Sequence, residues 1–148
     1  VIIKLLINKI IITIINRKGE DTMGKKVIFT KNAPAAIGPY AQGIDGGSTV
    51  YVSGQLPADP ETGEFAGKDI ASQTEQSLKN VQAVLGEAGL TLGNVVKASV
   101  FLKDMGDFAA MNEVYARYFT EHCPARSAVQ VAALPKDALV EIEVIAVR

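Results

Sequence analysis

The sequence predicts an α+β domain in which a six-stranded sheet carries two helices across one of its faces. Three observations carry that prediction. Short β-type runs bracket two stretches whose apolar residues recur three or four apart. Turns rich in glycine and proline separate these segments. The last run is apolar on both sides, so two helices on one face cannot bury all of it.

Val27 to Thr30 is a short β-type run closed by Asn32-Ala33-Pro34, and Gly38-Pro39 marks a further turn. Tyr40 to Asp45 and Thr49 to Gln55 flank Gly46-Gly47-Ser48 and are expected to form a hairpin. After the turn Asp59-Pro60-Glu61-Thr62-Gly63, Asp69 can cap a long helix with the stripe Ile70, Thr74, Leu78, Val81, Leu85 and Ala88. Gly89 stands where a left-handed residue ends such a helix. Val95 to Leu102 alternates Val96, Ala98, Val100 and Leu102 against Lys97, Ser99 and Lys103, which predicts a strand. Asp107 is expected to cap a second helix with the stripe Phe108, Met111, Asn112, Tyr115 and Phe119, ended by Pro124. Ser127 to Leu134 and Leu139 to Val147 read as two more strands around Pro135-Lys136-Asp137. In the last, Val140, Ile142, Val144 and Ala146 form one face; Leu139, Ile145 and Val147 share the other with Glu141 and Glu143. An uncovered apolar sheet face predicts a homo-oligomer, with clefts at its subunit boundaries.

Composition narrows the function classes. With 148 residues, 48% of them hydrophobic and 21% charged, the chain has the balance of one soluble domain. Its single cysteine, Cys123, excludes an internal disulfide framework and fits a reducing compartment, the cytoplasm. Cys123 and the single histidine, His122, are too few for a closed zinc site. Val1 to Thr22 is rich in Ile, Leu, Lys and Asn and stands apart from the rest. Lys4, Asn8 and Lys9 interrupt its apolar stretch, which at about 15 residues falls short of the roughly 20 that span a bilayer. A secretory signal would need a clean apolar block and a small-residue cleavage site. Purine-only codons can spell Arg17-Lys18-Gly19-Glu20, as in a ribosome-binding site, and Met23 follows at a suitable distance. Residues 1–22 are therefore expected to be a mis-assigned extension and residues 23–148 the domain. From Met23 onward, 11 basic residues face 14 acidic ones, a net of −3 that offers no footprint for nucleic acid.

Few residues invite chemistry. Arg126, in Pro124-Ala125-Arg126-Ser127, enters a strand and could fork a carboxylate; the alternative is a surface arginine in a salt bridge. Glu141, mid-strand among Leu139, Ile145 and Val147, should have a raised pKa and could hold water or move protons. Glu143 faces the same way, and spacing does not choose between the two. Tyr40 after Gly38-Pro39, and Ser53 before Gly54, sit where a backbone could approach a ligand; both also suit ordinary turns. Asn112 fits either a pocket or a buried, satisfied amide. His122 and Cys123 have no partner for a dyad. No phosphate loop, dinucleotide fingerprint or nucleophile elbow occurs.

Five pieces in order resemble one family: Asn32-Ala33-Pro34-Ala35-Ala36-Ile37-Gly38-Pro39-Tyr40, Val52-Ser53-Gly54-Gln55, Asn112-Glu113-Val114-Tyr115, Pro124-Ala125-Arg126-Ser127-Ala128-Val129 and Val140 to Ala146. The chain from about Met23 to Arg148 is similar to the RidA (YjgF) family. The resemblance implies a chorismate-mutase-like fold, a homotrimer with a β-barrel core, and active sites in the clefts between subunits. It implies hydrolysis of 2-aminoacrylate, 2-aminocrotonate and their imine tautomers to 2-oxo acids and ammonia, without a cofactor or metal. By the same resemblance Arg126 binds the substrate carboxylate and Glu141, rather than Glu143, holds or activates water. Tyr40, Ser53, Gly54 and Asn112 would line the pocket. Some members carry cysteine where this chain has Ala128, whose backbone N–H is the group that could still serve. Two other classes are a non-catalytic 2-oxo-acid-binding or chaperone-like module and a translation-inhibiting ribonuclease, the latter disfavoured by the acidic domain. Neither nucleic acid nor membrane is an expected partner.

Overall fold

A computed structural model describes residues 24–148; the reading of Val1 to Thr22 lies outside the described residues. In chain order the elements are β1 (Lys26–Ile28), β2 (Gly43–Asp45), β3 (Thr49–Gln55), α1 (Ile70–Glu87), β4 (Val95–Leu102), α2 (Phe108–Tyr118), β5 (Ala125–Gln130) and β6 (Val140–Val147). They form one six-stranded sheet in the order β1-β2-β3-β6-β4-β5. Neighbours are antiparallel except β4 and β5, which run parallel on either side of α2.

Helix α1 forms as its sequence predicts. Asp69 accepts from the Ser72 N–H at 2.9 Å, satisfying an orphan donor of the first turn. At the other end Gly89, with φ +71°, takes the left-handed position. The Leu90 and Gly89 N–H groups close on the Leu85 and Gly86 carbonyls, a Schellman ending. Leu78, Val81, Val84 and Leu85 of α1 are buried with Met111 and Val114 of α2 against Val50, Val100, Val140, Ile142 and Val144 of the sheet. Both helices thus cover one sheet face. On the other, Tyr51, Val129 and Val147 remain exposed.

Four local expectations need correction. Alternation put Val96 on the covered face, but the β4–β6 register shifts between Val95 and Lys97, so Val95 is buried and Val96 is exposed. Asp107 makes no side-chain cap; a 3-10 turn, Met105–Asp107, precedes α2, and Asp104 accepts from the Gly106 N–H at 2.7 Å. β2 begins at Gly43 because the preceding residues serve a loop instead. The buried Gln42 side chain accepts from the Thr30 N–H and donates to the Thr30, Ala33 and Pro34 carbonyls. β5 ends at Gln130, and Leu139 lies just outside β6 at the core margin, its N–H donating to Gln73.

One turn is strained. Lys136 and Asp137, between β5 and β6, are consecutive non-glycine residues at φ +53° and +61°. Side chains disfavour this region because Cβ crowds the backbone.

Candidate active site

Glu141 sits on the uncovered face of β6. Its partner in β4 is Phe101, whereas Ile142 pairs with Val100 on the helix-covered side. Beside it, β3 supplies Gly54, and the absence of a side chain there makes room for the carboxylate. A Cβ on Gly54 would run into the Glu141 carboxyl, with Cδ at 2.8 Å and Cγ at 3.0 Å. Burial raises the Glu141 pKa above the ordinary glutamate range, and the neighbouring Glu143 carboxylate adds to the rise. Glu143 is exposed, so the structure separates two carboxylates that strand periodicity left equivalent.

Tyr40 and Ser53 join Glu141 and Gly54 along one cavity of about 650 Å³, walled by Ile37, Leu56 and Phe65. The Ser53 hydroxyl donates to the Ala41 carbonyl at 2.6 Å, leaving its oxygen free only to accept. The Tyr40 hydroxyl accepts from the Ile37 N–H at 3.3 Å, which ties the phenol to the loop that Gln42 clamps.

Arg126, Ala128 and Asn112 form a second group. In β5, Arg126 pairs with Ala98 and therefore faces the helices. Its guanidinium lies over the Tyr115 ring at 4.5 Å and the Phe108 ring at 5.7 Å. Tyr115 in turn stacks on Phe119, with centroids 4.6 Å apart. Burial pushes the Tyr115 hydroxyl up to about 12, against the lowering effect of Arg126, so it stays protonated. Half-buried Asn112 shares the helix face of Phe108 and Tyr115. Among the described residues Arg126 makes no salt bridge, so the bland alternative for it is not realised. The Val131 N–H donates to Leu102 of β4 at 3.0 Å. By strand alternation, Arg126 and Ala128 then turn their N–H groups outward, to the free edge of the sheet.

The two groups do not meet within one chain. Arg126 pairs with Ala98 and Glu141 with Phe101, β4 residues of opposite faces, so the two side chains lie on opposite sides of the sheet. Two strand spacings, roughly 10 Å, also separate them laterally. Nothing as small as a three- or four-carbon acid touches both. His122 and Cys123 are exposed; Cys123 Sγ donates to the Phe119 carbonyl at 3.6 Å. Among the described residues no group of three or more His, Cys, Asp and Glu could hold a metal ion, and no helix is long and apolar enough to cross a membrane. The sequence reading missed Gln42 as organiser of the loop, and Lys136, which lines the Glu141 cavity. Neither carries a local signal, since one acts through a side-chain clamp and the other through an unusual backbone angle.

The profile of the family described as endoribonuclease L-PSP matches residues 30–148. A 2-iminobutanoate/2-iminopropanoate deaminase of Salmonella typhimurium is 57% identical over 126 residues, covering 83% of this chain and 98% of its own. A RutC family protein of Pyrococcus horikoshii is 57% identical over 122 residues, covering 82% and 97%. Among solved structures, Escherichia coli TdcF with bound serine superposes with a TM-score of 0.81 at 52% identity, covering 83% of this chain and 98% of that one. The Escherichia coli YjgF structure does so at 0.80 and 56%, with the same coverage. Matched in fold, in length and at more than half of the aligned positions, the chain belongs to the endoribonuclease L-PSP family, that of RidA and YjgF.

Proposed function

We propose that this protein is a deaminase that hydrolyses 2-iminopropanoate and 2-iminobutanoate, the tautomers of 2-aminoacrylate and 2-aminocrotonate, to 2-oxo acids and ammonia. The observation that carries the reading is the half-buried Glu141 carboxyl, packed over Gly54 in a cavity large enough for such an acid. The activity in the names of relatives at 56–57% identity supports it. The serine bound to TdcF adds that a relative accepts a small amino acid with a carboxylate.

In this reading the chain works as a cytoplasmic homotrimer that needs neither nucleic acid nor membrane. The exposed apolar residues of the open sheet face support oligomerisation. The separation of Arg126 from Glu141 favours a cleft in which one subunit gives the arginine and its neighbour the glutamate. Arg126, braced on Tyr115 and Phe108, receives the substrate carboxylate in a two-pronged bond. The Ala128 N–H, at the same strand edge, and Asn112 orient the imine end. Glu141 takes a proton from water as its oxygen adds to C2, and passes that proton to the imine nitrogen. The carbinolamine then loses its hydroxyl proton to the nitrogen through the same carboxylate; the C–N bond breaks, and ammonia leaves. No cofactor is required. Because these imines also hydrolyse unaided, placing water and substrate correctly supplies much of the acceleration.

The test is ammonia release from freshly generated 2-iminobutanoate and 2-iminopropanoate, measured against the spontaneous rate. A folded protein that gives no acceleration would leave a 2-oxo-acid-binding module in place of the enzyme. A sharper expectation concerns Gly54→Ala. Gly54 is not among the positive-φ residues, so its backbone accepts alanine, but the new Cβ must push the Glu141 carboxyl aside. The melting temperature should stay near that of the wild type while kcat/KM falls about a hundredfold, the usual penalty for a catalytic group misplaced by an ångström.

A further inference from the structure

We propose that Lys136 is the cation that draws the anionic substrate into the cavity holding Glu141. The inference rests on the deaminase reading and goes beyond it. That cavity carries two carboxylates, Glu141 and Glu143, and its substrate is itself an anion. Arg126 of the same chain lies on the far side of the sheet, and a neighbour's Arg126 would grip the carboxylate once it has arrived, so the charge that this chain itself offers at the entrance is that of Lys136. Among the described residues lining the cavity, Lys136 is the one with a positive charge.

Its position is imposed rather than incidental. Lys136 has φ +53° and ψ +25°, a conformation that glycine or asparagine adopts more easily than lysine. Asp137 follows at φ +61°. The turn is held from several directions. Lys103 pairs with Asp137 at 2.7 Å, the Lys103 N–H donates to the Leu139 carbonyl at 2.9 Å, and the Leu139 N–H donates to the buried Gln73 at 2.8 Å. The pairing leaves Asp137 engaged by Lys103, so it does not neutralise Lys136. Strain kept in place by its surroundings, at the rim of the cavity that holds Glu141, points to a use for the side chain. Lys136 also borders a neighbouring cavity that contains Glu64 and Lys68, so it stands on the ridge between the two.

The test uses the full chain at low ionic strength and at about 0.3 M salt, where charges are screened beyond a few ångströms. Two quantities are read: kcat/KM on 2-iminobutanoate, and calorimetric affinity for its product 2-oxobutanoate. Lys136→Met should lower both about tenfold at low salt, mainly through KM, with the gap closing as salt rises. Lys136→Arg should restore both. Lys136→Gly removes charge and strain together, so it should show the same loss with a melting temperature at or above that of the wild type. A Lys136→Met protein with the affinity, kcat/KM and salt dependence of the wild type would overturn the proposal. So would a loss confined to kcat and indifferent to salt. If the wild type fails to hydrolyse the imine, yet 2-oxobutanoate affinity still depends on Lys136 in this salt-sensitive way, the deaminase reading falls and the lysine's role stands.

Discussion

Replacing Glu141 with glutamine is expected to slow imine hydrolysis by about a thousandfold, the scale of losing a positioned acid–base group. The amide keeps the shape that packs over Gly54 but cannot take a proton from water. Affinity for a 2-oxo acid should therefore change little, which separates lost chemistry from a lost pocket. Stability should move the other way. Burial and Glu143 raise the Glu141 pKa, so the folded chain holds that proton more tightly than the unfolded chain does. Ionising Glu141 then costs folding free energy, and the cost grows as pH rises from the ordinary glutamate value through the raised one. Glutamine removes that cost at neutral pH, and thermal denaturation should find the variant at least as stable as the wild type. In the wild type the acid limb of kcat should lie above the usual glutamate range, because only the ionised carboxylate can accept the proton. A glutamine variant with wild-type turnover would remove Glu141 from the mechanism.

Arg126→Ala should lose about 3 kcal/mol of transition-state stabilisation, roughly 150-fold in kcat/KM, by taking away the partner of the substrate carboxylate. Most of the loss belongs in KM if the arginine holds substrate and transition state alike. Arg126→Lys should recover only a small part. An ammonium offers neither the planar face that lies on Tyr115 at 4.5 Å nor the paired N–H groups of the fork. The same assay on esters of the imino acids provides the control, since without a carboxylate the arginine should cease to matter.

Much of this architecture was legible in the sequence because it is local. The α1 stripe, its Asp69 cap and the Gly89 ending each follow from residues within a few positions of one another, and all are present. β3 and β4 fall where their alternation put them. The failures have a common origin in partners distant along the chain. The Val95–Lys97 shift is a property of the β4–β6 pairing, and alternation within β4 alone cannot register it. Gln42 shortens β2 by reaching back to residues 30–34. Arg126 and Glu141 stand out by their own positions, and the family resemblance chooses Glu141 over Glu143, but nothing in either strand's own pattern shows that they face opposite ways. Pairing register decides that, because β4 sets Ala98 beside Arg126 and Phe101 beside Glu141, and those two β4 residues, three apart, point to opposite faces. Glu141 could not be told from Glu143 by periodicity; the bare backbone at Gly54 separates them.

In the proposed trimer one active site takes Arg126 from one subunit and Glu141 from another. The direct test mixes two impaired proteins, Arg126→Ala and Glu141→Gln, by co-expression or by refolding together in equal amounts, and reads kcat/KM at substrate well below KM. In a symmetric trimer with random assortment, about a quarter of the clefts then join an intact arginine to an intact glutamate, so about a quarter of wild-type activity should return. The double variant mixed with either single variant should recover nothing, because no cleft can be complete. If mixed oligomers form, as two affinity tags would demonstrate, and activity stays at the level of the single variants, the shared site is contradicted.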